Sequence, residues 1–225
     1  MARTFDIRNE QVRELVLAEA GRVIRDGGLL VVPTDTVYGI GADAFSPSAV
    51  NALLAAKGRG RDMPPPVLVH SRDTLLALAA NVDQRVMALV GAFWPGPLTL
   101  ICEAQPMLDW DLGDTHGTVA LRMPDDPDTL ALLAETGPLA VSSANTHGAP
   151  AATTAEQARE MLGDSVAIYL DGGPRTGQGS STIVDMTSQP PRILREGPLG
   201  LDRLREELPE LVGPDDPADG GSQDD

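Results

Sequence analysis

Four short segments carry polar groups that folding alone does not require. They are Thr34-Asp35-Thr36, Lys57-Gly58-Arg59-Gly60-Arg61, Ser142-Ser143-Ala144-Asn145 and the strand end at Arg195. Hydroxyls, an amide and fixed cations are the groups that hold carboxylates and phosphates. Each segment also has an ordinary reading: a turn satisfied by short side chains, a helix end that favours cations, or an exposed edge arginine. Lys57 stands apart because it is the only lysine among 17 basic residues. Lysine offers a compact ammonium and arginine a planar fork, so the two do not substitute freely at a tight site. The common nucleotide signatures, a phosphate loop ending in Gly-Lys-Ser/Thr and a three-glycine dinucleotide turn, do not occur in the sequence, and Gly39-Ile40-Gly41 is too short for the latter. His70, His116 and His147 lack metal-ligand spacing, and Cys102 has no second cysteine.

The elements that must position these segments follow from periodicity. Val12, Leu15, Val16, Ala20, Val23 and Ile24 recur at helical spacing, which predicts a helix over 10–26 capped by Asn9 and stopped by Gly27-Gly28. Leu29–Val32 reads as a buried strand running into the Thr34 loop. Ser46-Pro47 opens a helix that reaches Lys57. Strands are predicted at 67–69, 98–102, 118–122, 139–141, 166–170, 182–185 and 193–195. Helices are predicted at 73–80, 82–92, 127–135, from Thr153 or Thr154 to 162, and at 200–207. Ser142–Asn145 is expected in a loop. Along 118–122, alternation sends Thr118, Ala120 and Arg122 to one face, where Arg122 either clamps a carboxylate or pairs with a nearby acid such as Asp125 or Asp126. Several connections are too short for parallel crossovers, so the expected class is α/β (α+β): a twisted mixed sheet with helices on its faces.

The formal net charge is -16, which disfavours direct binding of nucleic acid, RNA included, because such affinity rests on neutralised phosphates. An anionic ligand must then meet a locally basic pocket. No apolar run reaches the roughly 20 residues of a membrane span, and the N-terminal residues lack a signal-peptide core. A cytoplasmic protein without membrane association is expected. One folded domain is assigned to residues 1–207, and an acidic, disordered tail to 208–225.

Seven pieces in order resemble the YrdC/Sua5/TsaC family. They are Val32–Gly41, Lys57-Gly58-Arg59, Phe93–Thr99, Val119–Pro124, Ser143-Ala144-Asn145, Ser181–Asp185 and Ile193–Gly197. The resemblance spans about residues 10–200 and implies a YrdC-like fold with a concave ligand pocket. It also implies threonylcarbamoyl-AMP synthesis from L-threonine, bicarbonate or CO2, and ATP with Mg2+, for the N6-threonylcarbamoyladenosine modification of tRNA. Proteins that transfer the threonylcarbamoyl group to tRNA would accept the adenylate. By the family pattern the catalytic residues are Lys57, Arg59, Ser143 and Asn145. Threonine would meet Thr36, His70, Arg122 and Ser143, and ATP would meet Lys57, Arg59, Thr118, Asn145, Thr153 and Arg195. No metal-ligating residue is assigned. The run Gly60–Pro66 is longer than the usual family form. A non-catalytic RNA-binding module of the same fold is the alternative. A carbamoyl-transfer domain like that of hydrogenase-maturation proteins would carry acylphosphatase and zinc-finger segments, which the sequence does not contain.

Overall fold

The computed structural model describes residues 1–176 and 179–216. β1 (Arg3–Asp6) precedes α1 (Glu10–Arg25), whose cap is Asn9, accepting from the Gln11 N–H at 3.1 Å. β2 (Leu30–Val32) and β3 (Gly39–Asp43) flank the loop that carries Thr34–Thr36. α2 (Pro47–Lys57) begins at the Ser46 cap and ends at Gly58, whose φ of 64° lets its N–H turn back onto the Ala55 carbonyl. That left-handed geometry favours a residue without Cβ. β4 (Val67–Leu68), α3 (Arg72–Leu78), α4 (Gln84–Phe93) and β5 (Leu98–Glu103) come next. Then follow β6 (Thr118–Arg122), α5 (Pro127–Thr136), β7 (Leu139–Ser143) and α6 (Ala155–Leu162). β8 (Ile168–Asp171), β9 (Thr182–Asp185), β10 (Arg192–Arg195) and α7 (Leu201–Arg205) complete the described elements.

The strands form one 10-stranded mixed sheet in the order β1-β8-β2-β3-β7-β4-β6-β5-β9-β10. Both faces of its centre are covered. Leu30 and Val32 pack with α1 and α5 residues such as Leu17, Ile24, Leu132 and Leu133, while Val31 packs with Val50 and Leu53 of α2 on the other side. A strand buried on both faces reads as a continuous apolar run, which is why β2 shows no alternation. Leu68 and Val141 belong to the α1/α5 cluster and also line the pocket described below. The pocket therefore opens on that face of the sheet, where the helical cover ends.

Four expectations need correction. β1 was not predicted; it is a largely exposed edge strand with no apolar pattern, placed by parallel pairing with β8. β3 is likewise absent from the predicted strands; its glycine-rich Gly39–Asp43 run becomes a strand through antiparallel pairing with β2 on one side and β7 on the other. Ser142 and Ser143 lie within β7, opposite Ile40 and Gly39, rather than in a loop. The boundary at residue 207 falls too early. Leu208 and Leu211 are buried in the main core, and Val212 pairs with the β10 region through Ile193 N–H to Val212 O at 2.9 Å. These apolar residues sit among charged ones, and composition alone hides them. Of the remaining tail, 217–225 lies outside the described residues. No described helix is long and apolar enough to cross a membrane.

Candidate functional site

A concave pocket of about 490 Å³ lies over β7, β6, β5 and β9, closed at its sides by the β2–β3 loop, the α2–β4 loop and β10. The sheet supplies its polar side chains because alternate residues of a strand share a face. Thr118, Ala120 and Arg122 of β6 all line it, as the alternation predicts.

Arg122 is buried at 6% exposure and held from three directions. Its Nε donates to Gly96 O at 3.0 Å and its Nη1 to Thr36 Oγ1 at 3.1 Å, while Nη2 meets the Asp35 carboxylate. A guanidinium has five N–H donors, so one N–H on each terminal nitrogen remains for a ligand. The acid that pairs with Arg122 is Asp35. Asp125 instead gives its backbone N–H to the same carboxylate, and Asp126 caps α5 and pairs with Arg175. Thr36 is fixed in turn by the Thr34 hydroxyl at 3.0 Å.

Arg59 and Arg195 enter the pocket from its two sides. Arg59 donates from Nη1 to Ser142 Oγ at 3.2 Å, and its buried Nε has no partner among the described residues. Arg195 owes its direction to an irregularity in β10. Ile193 pairs with Val184 but Arg195 with Ile183, so Leu194 is an extra residue and both Leu194 and Arg195 reach the pocket. Arg195 then bonds Ser181 O from Nε and Nη2 at 3.0 and 2.9 Å. Ser143 and Thr118 also line the pocket, with the Thr118 hydroxyl turned onto Thr115 O at 2.8 Å.

The structure places four expected contacts elsewhere. Lys57 is 1% exposed and does not line the pocket. Its ammonium donates to Ser143 O, to Asn145 O at 2.7 Å and to Asn145 Oδ1 at 3.1 Å, while its own carbonyl accepts from His147 N–H. An ammonium has three N–H groups, and all three are occupied. Lys57 thus ties the end of α2 to the end of β7. Asn145 is the other half of that tie; its amide also donates to Thr146 O and Ala149 O, so it too faces away from the pocket. Thr153 bonds Gln157 Oε1 at the start of α6, where Thr154 is the cap. His70 is exposed at the end of β4, beside Thr74 in the first turn of α3, and does not line the pocket. Sequence reading missed Asp35 as the partner of Arg122, Ser142 and Ser181 as anchors of the other two arginines, and the apolar wall of Met63, Pro64, Pro65 and Leu112. Ser142 stood in the polar segment Ser142–Asn145 and Ser181 in a matched segment, but only strand pairing shows what they hold.

The electrostatics explain what such a site wants. Burial pushes the Arg122 guanidinium below its usual range, opposed by Asp35. Burial does the same to Arg59, opposed by Asp62. Arg195 is lowered by burial and then by the charges of Arg122 and Arg59. Lys57 behind them is lowered from 10.5 to about 8 by burial and by Arg59. Desolvated like charges with few counter-charges disfavour one another, and a bound anion reverses that cost. The pocket thus gathers three desolvated cations, an arrangement that suits an anion, inside a chain of net charge -16. Among the described residues, no group of three or more His, Cys, Asp or Glu side chains gathers to hold a metal ion.

Comparison with known proteins agrees with this geometry. A family model described as Sua5/yciO/yrdC, telomere recombination, matches residues 22–197. A Mycobacterium tuberculosis protein provisionally named threonylcarbamoyl-AMP synthase is 54% identical over 208 residues, covering 92% of this chain and 96% of that protein. A doubly substituted Pyrococcus abyssi Sua5 superposes with a TM-score of 0.90 at 33% identity, over 95% of this chain and 62% of that one. The P. abyssi Sua5 structure complexed with L-threonine gives a TM-score of 0.85 at 35% identity, over 89% of this chain and 59% of that one.

Proposed function

The chain belongs to the Sua5/YciO/YrdC family, and on that premise we propose that it is a threonylcarbamoyl-AMP synthase whose three-arginine pocket binds both substrates. The observation that carries the assignment of roles is the convergence of Arg59, Arg122 and Arg195 on one pocket from separate elements. Arg122 is already oriented by Gly96, Thr36 and Asp35, and its two remaining N–H groups suit the α-carboxylate of threonine. Arg59 and Arg195 then face the triphosphate of ATP, with Thr118 and Ser143 on the wall between. Lys57, Asn145 and Thr153 support these groups without touching substrate, and His70 has no part in the site.

The reaction is a nucleotidyl transfer. The neutral threonine amine adds to CO2 with loss of a proton, or to bicarbonate with loss of water, to give N-carboxythreonine. One oxygen of the new carboxylate attacks the α-phosphorus of ATP, and the bond to the bridging oxygen of pyrophosphate breaks. The products are threonylcarbamoyl-AMP and pyrophosphate. Negative charge accumulates on the transferring and leaving phosphates, where fixed cations act without reorganising. The pocket contributes position and charge rather than a nucleophile. Magnesium is expected with ATP. When bound with ATP it would neutralise charge on the phosphates. The adenylate is then consumed by proteins that transfer the threonylcarbamoyl group to tRNA.

Pyrophosphate release by the purified chain tests the proposal. It should require ATP, L-threonine and bicarbonate together, and the adenylate should appear as a new nucleotide on chromatography. Release independent of threonine would refute the reading, and tight tRNA binding without turnover would favour the RNA-binding module.

A further inference from the structure

Arg59 is the least supported of the three pocket cations, with one hydrogen bond and an unpartnered Nε. It sits on the α2–β4 loop, whose next residues, Gly60–Pro66, supply the Met63–Pro65 wall of the pocket. The β4 end of that loop is held by Val141 N–H donating to Pro66 O at 2.8 Å, and the stretch next to Arg59 is held by a separate cluster. Arg61 Nη2 pairs with Asp111 at 2.6 Å, its Nε lies 3.8 Å from Asp114, and its Nη1 reaches Asn51 Oδ1 of α2. The backbone repeats the link: Asp114 N–H donates to Arg61 O at 2.8 Å. Gly113 makes this approach possible. Its φ is +109°, and a Cβ there would stand 2.6 Å from the Arg61 carbonyl oxygen. The β5–β6 loop that receives Arg61 is itself anchored, because Trp110 stacks on Phe45 with ring centroids 5.5 Å apart. Leu112 of that loop lines the pocket together with Met63, Pro64 and Pro65.

We propose that Arg61 is a positioning residue: by latching the α2–β4 loop onto the β5–β6 loop, it fixes Arg59 and the Met63–Pro65 wall against the nucleotide. The proposal rests on the synthase reading and adds to it a residue that never touches substrate. Arg122 is held by Gly96, Thr36 and Asp35, none of which belongs to either loop, so the threonine side of the pocket is independent of the latch.

The test is steady-state kinetics by pyrophosphate release on Arg61→Met, Gly113→Ala, Arg61→Glu and the charge-reversed pair Arg61→Glu with Asp111→Arg. An exposed ion pair is worth little, so Arg61→Met should raise the KM for ATP by about 1.5- to 5-fold. The KM for threonine, kcat and Tm should stay near wild type. Gly113→Ala disturbs the backbone contact as well and should raise the ATP KM on the order of tenfold, through strain at its positive φ. Arg61→Glu should exceed Arg61→Met, and the reversed pair should recover at least half of that loss, which a general loosening of the fold would not produce. Equal changes in both KM values, no change in any variant, or no recovery by the reversed pair would each overturn the latch. A wild-type chain that releases no pyrophosphate with threonine and bicarbonate would instead overturn the synthase reading, so the two failures are distinct.

Discussion

Replacing Lys57 with methionine separates a phosphate ligand from a buried tie. Methionine keeps the length and apolar body of the side chain and removes only the ammonium. Three acceptors, Ser143 O, Asn145 O and Asn145 Oδ1, then lose their donor. Hydrogen bonds to a charged group contribute about 1.5–3 kcal/mol each, a gross loss of roughly 5–9 kcal/mol. The variant no longer has to take a charge out of water, which offsets several kcal/mol. A net destabilisation of about 2–4 kcal/mol remains, and at roughly 2–4 °C per kcal/mol for a chain of this size the Tm falls by about 4–16 °C. The effect also depends on pH. The folded pKa of Lys57 is about 8 against 10.5 for the free side chain, so between those values the unfolded chain binds more protons. Stability contributed by this site therefore rises with pH across that window, and the gap between wild type and Lys57→Met should widen from pH 8 to 10.5. Differential scanning fluorimetry across that range, beside equilibrium ATP titration at pH 7.5, reads both effects. ATP affinity should fall less than in Arg59→Ala, because Lys57 shapes the pocket from behind. An unchanged Tm with a larger loss of ATP affinity than Arg59→Ala would refute the assignment and make Lys57 a phosphate ligand.

Three further outcomes are expected. Arg122→Ala should weaken threonine binding by roughly 10- to 150-fold through a lost charge-assisted clamp, with ATP affinity nearly unchanged; its Tm should also fall, because Asp35 keeps a partly buried charge without its partner. His70→Ala should leave the KM for threonine within about threefold, since the ring is exposed outside the pocket; a tenfold rise in the kinetic assay would restore it to the site. Truncation after Glu207 should lower the Tm by 8 °C or more, because Leu208 and Leu211 leave the core and buried leucines contribute about 2–5 kcal/mol each; a melting curve within 2 °C of the full chain would show that this segment is not docked.

The sequence determined whatever depends on near neighbours along the chain. Asn9 and Ser46 cap their helices, Gly58 ends α2, and Thr118–Arg122 is a strand with Arg122 on the pocket face. Caps, helical faces and strand alternation are set within about four residues, so composition and spacing suffice to read them. The family resemblance likewise marked Arg59, Arg122, Arg195, Thr36, Thr118 and Ser143, all of which line the pocket. What the neighbouring residues could not reveal was the direction in which a polar side chain is used. Lys57 lies 88 positions from Asn145 and Arg122 lies 87 from Asp35, and both pairings exist only once β3, β7 and β6 take their order in the sheet. The same holds for the extra residue that turns Arg195 inward, for the exposed edge strand β1, and for Leu208 and Leu211 inside an acidic segment. A buried donor must find acceptors wherever the fold brings them, and strand order, which joins residues distant in sequence, decides whether a lysine faces a ligand or another loop.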